Sequence, residues 1–194
     1  TEANLQRKCP LECIMAFTEG DSAKTLINRG SSDPDHIGSL ALRGKILNVS
    51  KHSKTVTNSN KVIQEVKQVL GLRTGLDYTR DEYFNTLRYG KAWLMMDRDD
   101  DGLHIQGLLL NFFYREFSTL LQRGFVSGFN TAVVQVWYKP PKEKKLGTKR
   151  FYTNSEYLAW LKTDDYQEMA KTIKEIKYYK GLGTIEPKDA SLYF

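Results

Sequence analysis

The chain has 194 residues, with 29 Lys and Arg against 23 Asp and Glu, a formal net charge of +6, 40% hydrophobic and 27% charged residues. That is the composition of an ordinary globular protein long enough to bury a core, as one domain or one domain plus an appendage. No apolar run nears the roughly 18–20 residues of a membrane span, and the polar start lacks a secretory signal, so membrane, collagenous, disordered and disulfide-scaffold classes are excluded.

In chain order, Cys13-Ile14-Met15-Ala16-Phe17-Thr18 reads as a buried strand running into the turn Glu19-Gly20-Asp21-Ser22. Asp21 or Ser22 then caps a helix over residues 23–28, closed by Gly30. A second strand is predicted over residues 37–42, ending at Arg43-Gly44-Lys45, and the polar residues 50–60 read as a loop. Val62, Ile63, Val66, Val69 and Leu70 fall at helical spacing with Gly71 as the stop, and a further helix is expected over 81–87. Ala92-Trp93-Leu94-Met95-Met96 is apolar on both faces, as the centre of a parallel sheet requires. Asp97-Arg98-Asp99-Asp100-Asp101-Gly102 follows, then one long helix over 103–122. Alternating strands and helices define an α/β class.

From Thr131 the character changes. Residues 132–138 read as a strand, and 139–150 as a basic loop with six cations to one acid, a solvated insert. Thr153-Asn154-Ser155-Glu156 is a capping box opening a helix over 157–161. Residues 173–179 read as a strand turned by Lys180-Gly181-Leu182-Gly183-Thr184.

Cys9 and Cys13 stand four residues apart with no second pair, and His36, His52 and His104 are scattered. Zinc wants about four ligands, so both cysteines are expected to be reduced structural thiols.

Two predicted strands end in acid, one at Glu19 and the other at Asp97, Asp99 and Asp101. Ligands of open α/β sheets bind beyond the carboxyl ends of the strands. Carboxylates packed together there repel unless a hard cation sits among them, and an oxygen-only set favours Mg²⁺ or Mn²⁺ over zinc. Asp99 to Asp101 also suit the capping of a helix N-terminus, but four acids in five positions exceed what capping needs. An EF-hand is excluded, because counting from Asp97 puts Leu108 where the bidentate Glu belongs. Arg43 and Lys45 flank a glycine just past a strand end, a place to meet phosphate, although such basic turns are commonly just solvated. Residues 177–183 form a similar basic glycine turn, with neither the P-loop spacing nor the third glycine of a dinucleotide fingerprint.

Taken together, Glu19-Gly20-Asp21-Ser22-Ala23, Leu42-Arg43-Gly44-Lys45-Ile46-Leu47-Asn48-Val49, Asp97-x-Asp99-x-Asp101-Gly102 and Tyr179-Lys180-Gly181-Leu182-Gly183-Thr184 resemble, in that order, the TOPRIM domain of type IIA DNA topoisomerases. The form of the first and last motifs is similar to the eukaryotic single-chain enzymes rather than to gyrase. Ala41, Met96, Leu103 and Gln106 depart from the usual residues, which marks a divergent member, of protist or large-DNA-virus origin.

The resemblance implies a TOPRIM fold, a central mostly parallel sheet flanked by helices with a C-terminal α+β extension. It implies a lead-in over 1–12, the TOPRIM domain over 13–130 and the extension over 131–194, leading toward a winged-helix domain. It implies Mg²⁺, with Mn²⁺ or Ca²⁺ able to substitute in binding, held by Glu19, Asp97, Asp99 and Asp101, with Glu19 and Asp97 catalytic. Arg43, Lys45, Asn48 and Lys180 are the implied DNA contacts, and His104 either positions the site or packs against the helix start.

The family's chemistry is ATP-dependent strand passage through a transient 5′-phosphotyrosyl break in double-stranded DNA. Its catalytic Tyr lies on the winged helix and its ATPase upstream, so the sequence, which has no initiator Met, is expected to be an excised, inactive piece of a homodimeric parent. That parent is intracellular: nuclear if cellular, at a cytoplasmic replication site or in the virion if viral. A stand-alone TOPRIM nuclease and a non-catalytic DNA-binding module are the alternatives.

Overall fold

Four short apolar strands build the first layer: β1 (Ile14–Thr18), β2 (Ile37–Ala41), β3 (Lys91–Met95) and β4 (Val126–Gly128). All pair in parallel, in the order β2-β1-β3-β4. Thr18 lies opposite both Ala41 and Met95, so β1, β2 and β3 end level with one another. The chain leaves β1 for β2 on one side and returns to β3 on the other. The crevice beyond Thr18 and Met95 is therefore the topological switch point of the sheet.

The computed structural model describes the chain except for Thr1, Asp21, residues 43–45, Lys142, Lys144, Ser191, Leu192 and Phe194, and except for the side chains of Ser22, Ala23, Lys24, Arg29, Pro187 and Lys188. The proposed Asp21 or Ser22 cap and the Arg43-Gly44-Lys45 turn fall outside what is described.

Period-two alternation sorts the strand residues onto two faces. Met15, Phe17 and Leu94 point into a core with Ile63, Val66 and Leu70 of α3 (Lys61–Leu70) and Ile105, Leu109, Phe112 and Phe113 of α5 (Asp100–Glu116). On the other face Ala16 and Met95 meet Leu26 and Ile27 of α1 (Ser22–Gly30). The same cluster takes Tyr179, Leu182, Ile185 and Ala190, so the segment 179–190 folds back over the first sheet. Replacing Leu109, which is fully buried, with Ala should cost about 2–5 kcal/mol. A urea midpoint lowered at unchanged m-value would show it.

A second, antiparallel sheet has β5 (Val134–Tyr138) between β6 (Gly147–Phe151) and β7 (Ile173–Tyr178). Val134, Val136 and Phe151 pack there on Tyr157 and Trp160 of α7 (Asn154–Trp160). The capping box is as read from the sequence: Glu156 N donates to Thr153 Oγ1 at 3.1 Å, and Glu156 Oε2 accepts from Thr153 N at 3.2 Å. The architecture is thus the expected α/β one, a mostly parallel sheet flanked by helices with an α+β extension.

Several boundaries differ from the sequence reading. The long helix breaks at Phe117, where φ −145° and ψ 45° are not helical; its ring is buried against Phe112, and α6 (Ser118–Gln122) restarts the helix. Residues 50–60 are largely not loop: Ser53 Oγ caps α2 (Lys54–Ser59). The helix read over 81–87 is the single turn α4 (Asp81–Phe84). The basic loop 139–150 ends in β6, whose pairing with β5 carries Lys149 and Arg150 into the sheet. The sequence reading also passed over β4, α8 (Asp164–Ala170) and α9 (Pro187–Ala190).

Candidate metal and phosphate site

Glu19 follows β1 directly, and Asp97 follows β3 after the buried Met96, so the register of two neighbouring strands brings both to the switch point. Thr18, itself buried, ties the turn down by donating from Oγ1 to Gly20 O at 2.8 Å. Glu19 Oε2 is buried without a hydrogen-bond partner. Burial first, then the charges of Asp99, Asp97 and Asp101, push the Glu19 carboxyl above its ordinary value. A buried, unpaired oxygen facing three like charges costs free energy unless a proton or a cation is added.

The aspartates do different things. Asp99 is the N-cap of α5, its Oδ1 accepting from Gly102 N at 2.8 Å, so the capping role weighed from the sequence is real for this residue. The second oxygen of a capping carboxylate remains available to another ligand. Asp100 and Asp101 occupy the first turn, on its exposed outer side.

Asp97 is held from a distance of 85 residues. Leu182 N donates to Asp97 Oδ1 at 2.9 Å. The glycine turn can lie this close because Gly181 has no side chain: a Cβ there would stand 2.7 Å from Asp97 Oδ2 and 2.8 Å from its carboxyl carbon. Gly102 does the same for the backbone, since a Cβ on it would enter the radius of the Asp97 carbonyl oxygen. In the sequence, residues 177–183 read as a basic glycine turn for phosphate, and the grip on Asp97 is not foreseen there. The one signal for it was the pair of glycines in a turn with no nucleotide-binding spacing.

Around the acids, Lys180 is exposed at the same turn. Asn48 Oδ1 accepts from Ser50 N at 3.1 Å and from Asn111 Nδ2 at 3.3 Å, which pins the segment after β2 to α5. Leu42 N donates to Thr18 O at 2.7 Å, extending the sheet one residue toward the undescribed residues 43–45. His104 is exposed on α5. Arg98 joins the two sheets, reaching Asn130 Oδ1 at 3.1 Å and Tyr152 O at 3.3 Å.

The donor set fits a hard cation: four carboxylates, no sulfur or imidazole, and one buried oxygen lacking a partner. The carboxylates are not drawn fully together. Among the described residues, the trio of His, Cys, Asp or Glu whose ligand atoms lie within 4.8 Å of one another is elsewhere, at Cys9, Glu12 and His36.

Residues 129–194 match the family model described as the C-terminal associated domain of TOPRIM. The chain is 41% identical over 189 residues to DNA topoisomerase 2-beta of Homo sapiens, covering 96% of this chain and 11% of that protein. It is 40% identical over 186 residues to DNA topoisomerase 2 top-2 of Caenorhabditis elegans, covering 94% and 12%. Among solved structures, the Plasmodium falciparum topoisomerase II DNA-binding, cleavage and re-ligation domain matches at TM-score 0.75 and 34% identity, covering 99% of this chain and 25% of that one.

A parallel sheet with acids at its switch point, followed by the matched associated domain, defines a TOPRIM unit. Within that class the chain belongs to the eukaryotic-type type IIA DNA topoisomerases, as their TOPRIM region. It spans about a tenth of the length of the curated relatives it matches.

Proposed function

We propose that the chain is the metal-binding part of the DNA-cleavage and religation gate of an ATP-dependent type II topoisomerase. The observation that carries this reading is Glu19 Oε2, buried, unpartnered and facing three aspartates at the switch point. Glu19, Asp97, Asp99 and Asp101 would hold Mg²⁺, which when bound supplies positive charge beside the scissile phosphate and the leaving oxygen.

The chain's own residues do the rest. Leu182 N and the bare Gly181 fix the Asp97 carboxylate in one orientation, and Asp99 is fixed by its cap. Glu19, with its carboxyl pushed upward, is suited to holding or returning a proton at the reacting oxygen. Lys180, with Arg43, Lys45 and Asn48, contacts the DNA backbone, positioning it without reading sequence.

We divide the chain into the TOPRIM domain over 13–130 and the extension over 131–194. The attacking tyrosine comes from a winged-helix domain of the same longer chain, and ATP binds elsewhere in that parent, a homodimer. The relatives named above are from cellular eukaryotes and lend nothing to a viral site, so the nucleus is the location we assign.

Incubation with supercoiled plasmid tests the assignment. The isolated chain with Mg²⁺ should leave the plasmid intact, while the full-length parent relaxes it with ATP. Chelator-sensitive nicking by the chain alone would replace this reading with a TOPRIM nuclease. Plasmid binding that responds to salt but not to Mg²⁺ or to the acidic substitutions would replace it with a DNA-binding module.

A further inference from the structure

The opposite end of the parallel sheet, where β1 and β2 begin, carries a second cluster of ligand atoms. Cys9 precedes the 3-10 turn Pro10–Glu12, and His36 closes the 3-10 turn Pro34–His36. Because Ile14 pairs with Ile37, these two turns enter the parallel strands side by side. Residues 27 apart in sequence are thereby brought together: Cys9 Sγ is 3.8 Å from His36 Nε2, and His36 Nε2 is 4.0 Å from Glu12 Oε2. All three ligand atoms lie within 4.8 Å of one another.

We propose that Cys9, Glu12 and His36 form a binding site for a zinc-class divalent cation, distinct from the acidic site at the other end of β1. Metal–ligand bonds of about 2.0–2.3 Å in tetrahedral array set the ligand atoms roughly 3.4–3.6 Å apart. The two spacings at His36 need to close by only about half an ångström, and the third, within 4.8 Å, by about 1.2 Å at most, a shift that side-chain rotation supplies.

His36 Nδ1 lies 2.6 Å from Asp33 Oδ2 without hydrogen-bond geometry, so a small rotation of the ring would make the carboxylate–histidine pairing that orients metal-ligating histidines. The other ring nitrogen, Nε2, is the one facing Cys9 and Glu12. The His36 side chain is three-quarters buried, whereas Glu12 is largely exposed, so the cation enters from the Glu12 side and keeps one position for water. Cys13 stands behind, fully buried. Cys9, partly exposed and within the trio, is therefore the sulfur ligand.

Thiolate and imidazole discriminate against Mg²⁺, and the all-oxygen set at Glu19 discriminates against zinc, so the two sites sort the cations between them. The strand separating them is five residues long, about 15–17 Å.

The test is Co²⁺ titration of the reduced 194-residue chain in excess Mg²⁺, followed by Zn²⁺ displacement. One equivalent should produce the near-ultraviolet thiolate-to-cobalt absorption and be displaced by zinc. Cys9→Ser should abolish that absorption. Glu12→Gln, on a largely exposed side chain that folding does not need, should weaken binding about 10-fold, and Asp33→Asn about 10–100-fold. The proposal is overturned if the reduced chain, folded by circular dichroism, shows no saturable absorption. It is equally overturned if the absorption survives Cys9→Ser, or if Asp97→Asn removes it.

Discussion

Glu19→Gln and Asp97→Asn in the full-length parent should each lower Mg²⁺-dependent DNA relaxation by about 10²–10³-fold or more, without unfolding the domain. The size follows from what each carboxylate does. Glu19 brings a buried negative oxygen with no protein partner, so its charge can be neutralised only by a proton or a cation. An amide of the same shape neither attracts the cation nor takes up a proton. Asp97 faces the same crevice with one oxygen engaged by Leu182 N, a bond that sets the direction of the other. Asn can keep that bond but not the charge. Quantitative relaxation and cleavage-complex assays on parent and variants, with circular dichroism as the fold control, decide it. Wild-type rates in both variants would remove these residues from the chemistry.

Gly181→Ala and Gly102→Ala should separate site from scaffold. At position 181 the added methyl would meet the carboxylate of Asp97, at 2.7–2.9 Å from its atoms. That carboxylate is the end of a side chain and can rotate away, so stability should fall by about 1 kcal/mol, the loss of a single hydrogen bond. Activity should fall nearly as far as for Asp97→Asn, because the carboxylate has left its place.

At position 102 the methyl would meet the Asp97 main chain, including its carbonyl oxygen, inside the first turn of α5. Backbone cannot rotate away, so Gly102→Ala should destabilise by about 3 kcal/mol or more. Thermal unfolding beside relaxation assays distinguishes the two. Equal stability losses would refute the grip of the 181–182 turn on Asp97.

What the sequence showed, it showed through local chemistry. The strands β1 and β3 are apolar runs too short for anything else, and the acids stand at their ends, so the α/β class and the acidic crevice follow from periodicity. The capping box at Thr153 is likewise a four-residue signal. Contacts across the chain left no such trace. Leu182 N meets Asp97 only because the extension folds back over the first sheet, and His36 meets Cys9 only because Ile14 and Ile37 share a register. Read along the sequence, the histidines look scattered, and His36 lies 27 residues from Cys9.

Elsewhere polarity misled. Residues 54–59 make a helix that Ser53 caps despite a polar run with little helix propensity, and β6 carries Lys and Arg on an edge strand, where charge is tolerated. The break at Phe117 falls within an unbroken helical pattern, because the burial of that ring against Phe112 is a tertiary demand.

The most direct measurement is thermal unfolding of the chain against pH, with and without saturating Mg²⁺, for wild type and Glu19→Gln. The raised Glu19 carboxyl binds its proton more tightly in the folded state than in the unfolded one, where its ordinary value is 4.5. Its contribution to stability is therefore full at acid pH and is lost as pH rises from there through the folded value. A cation in the site removes that loss. Mg²⁺ at about 100 times its dissociation constant should then stabilise wild type by about 2.7 kcal/mol near neutrality and by little near pH 4. Glu19→Gln should show neither the Mg²⁺ increment nor this part of the pH dependence. An Mg²⁺ increment equal in wild type and Glu19→Gln, or none in either, would contradict the metal site on which the whole account turns.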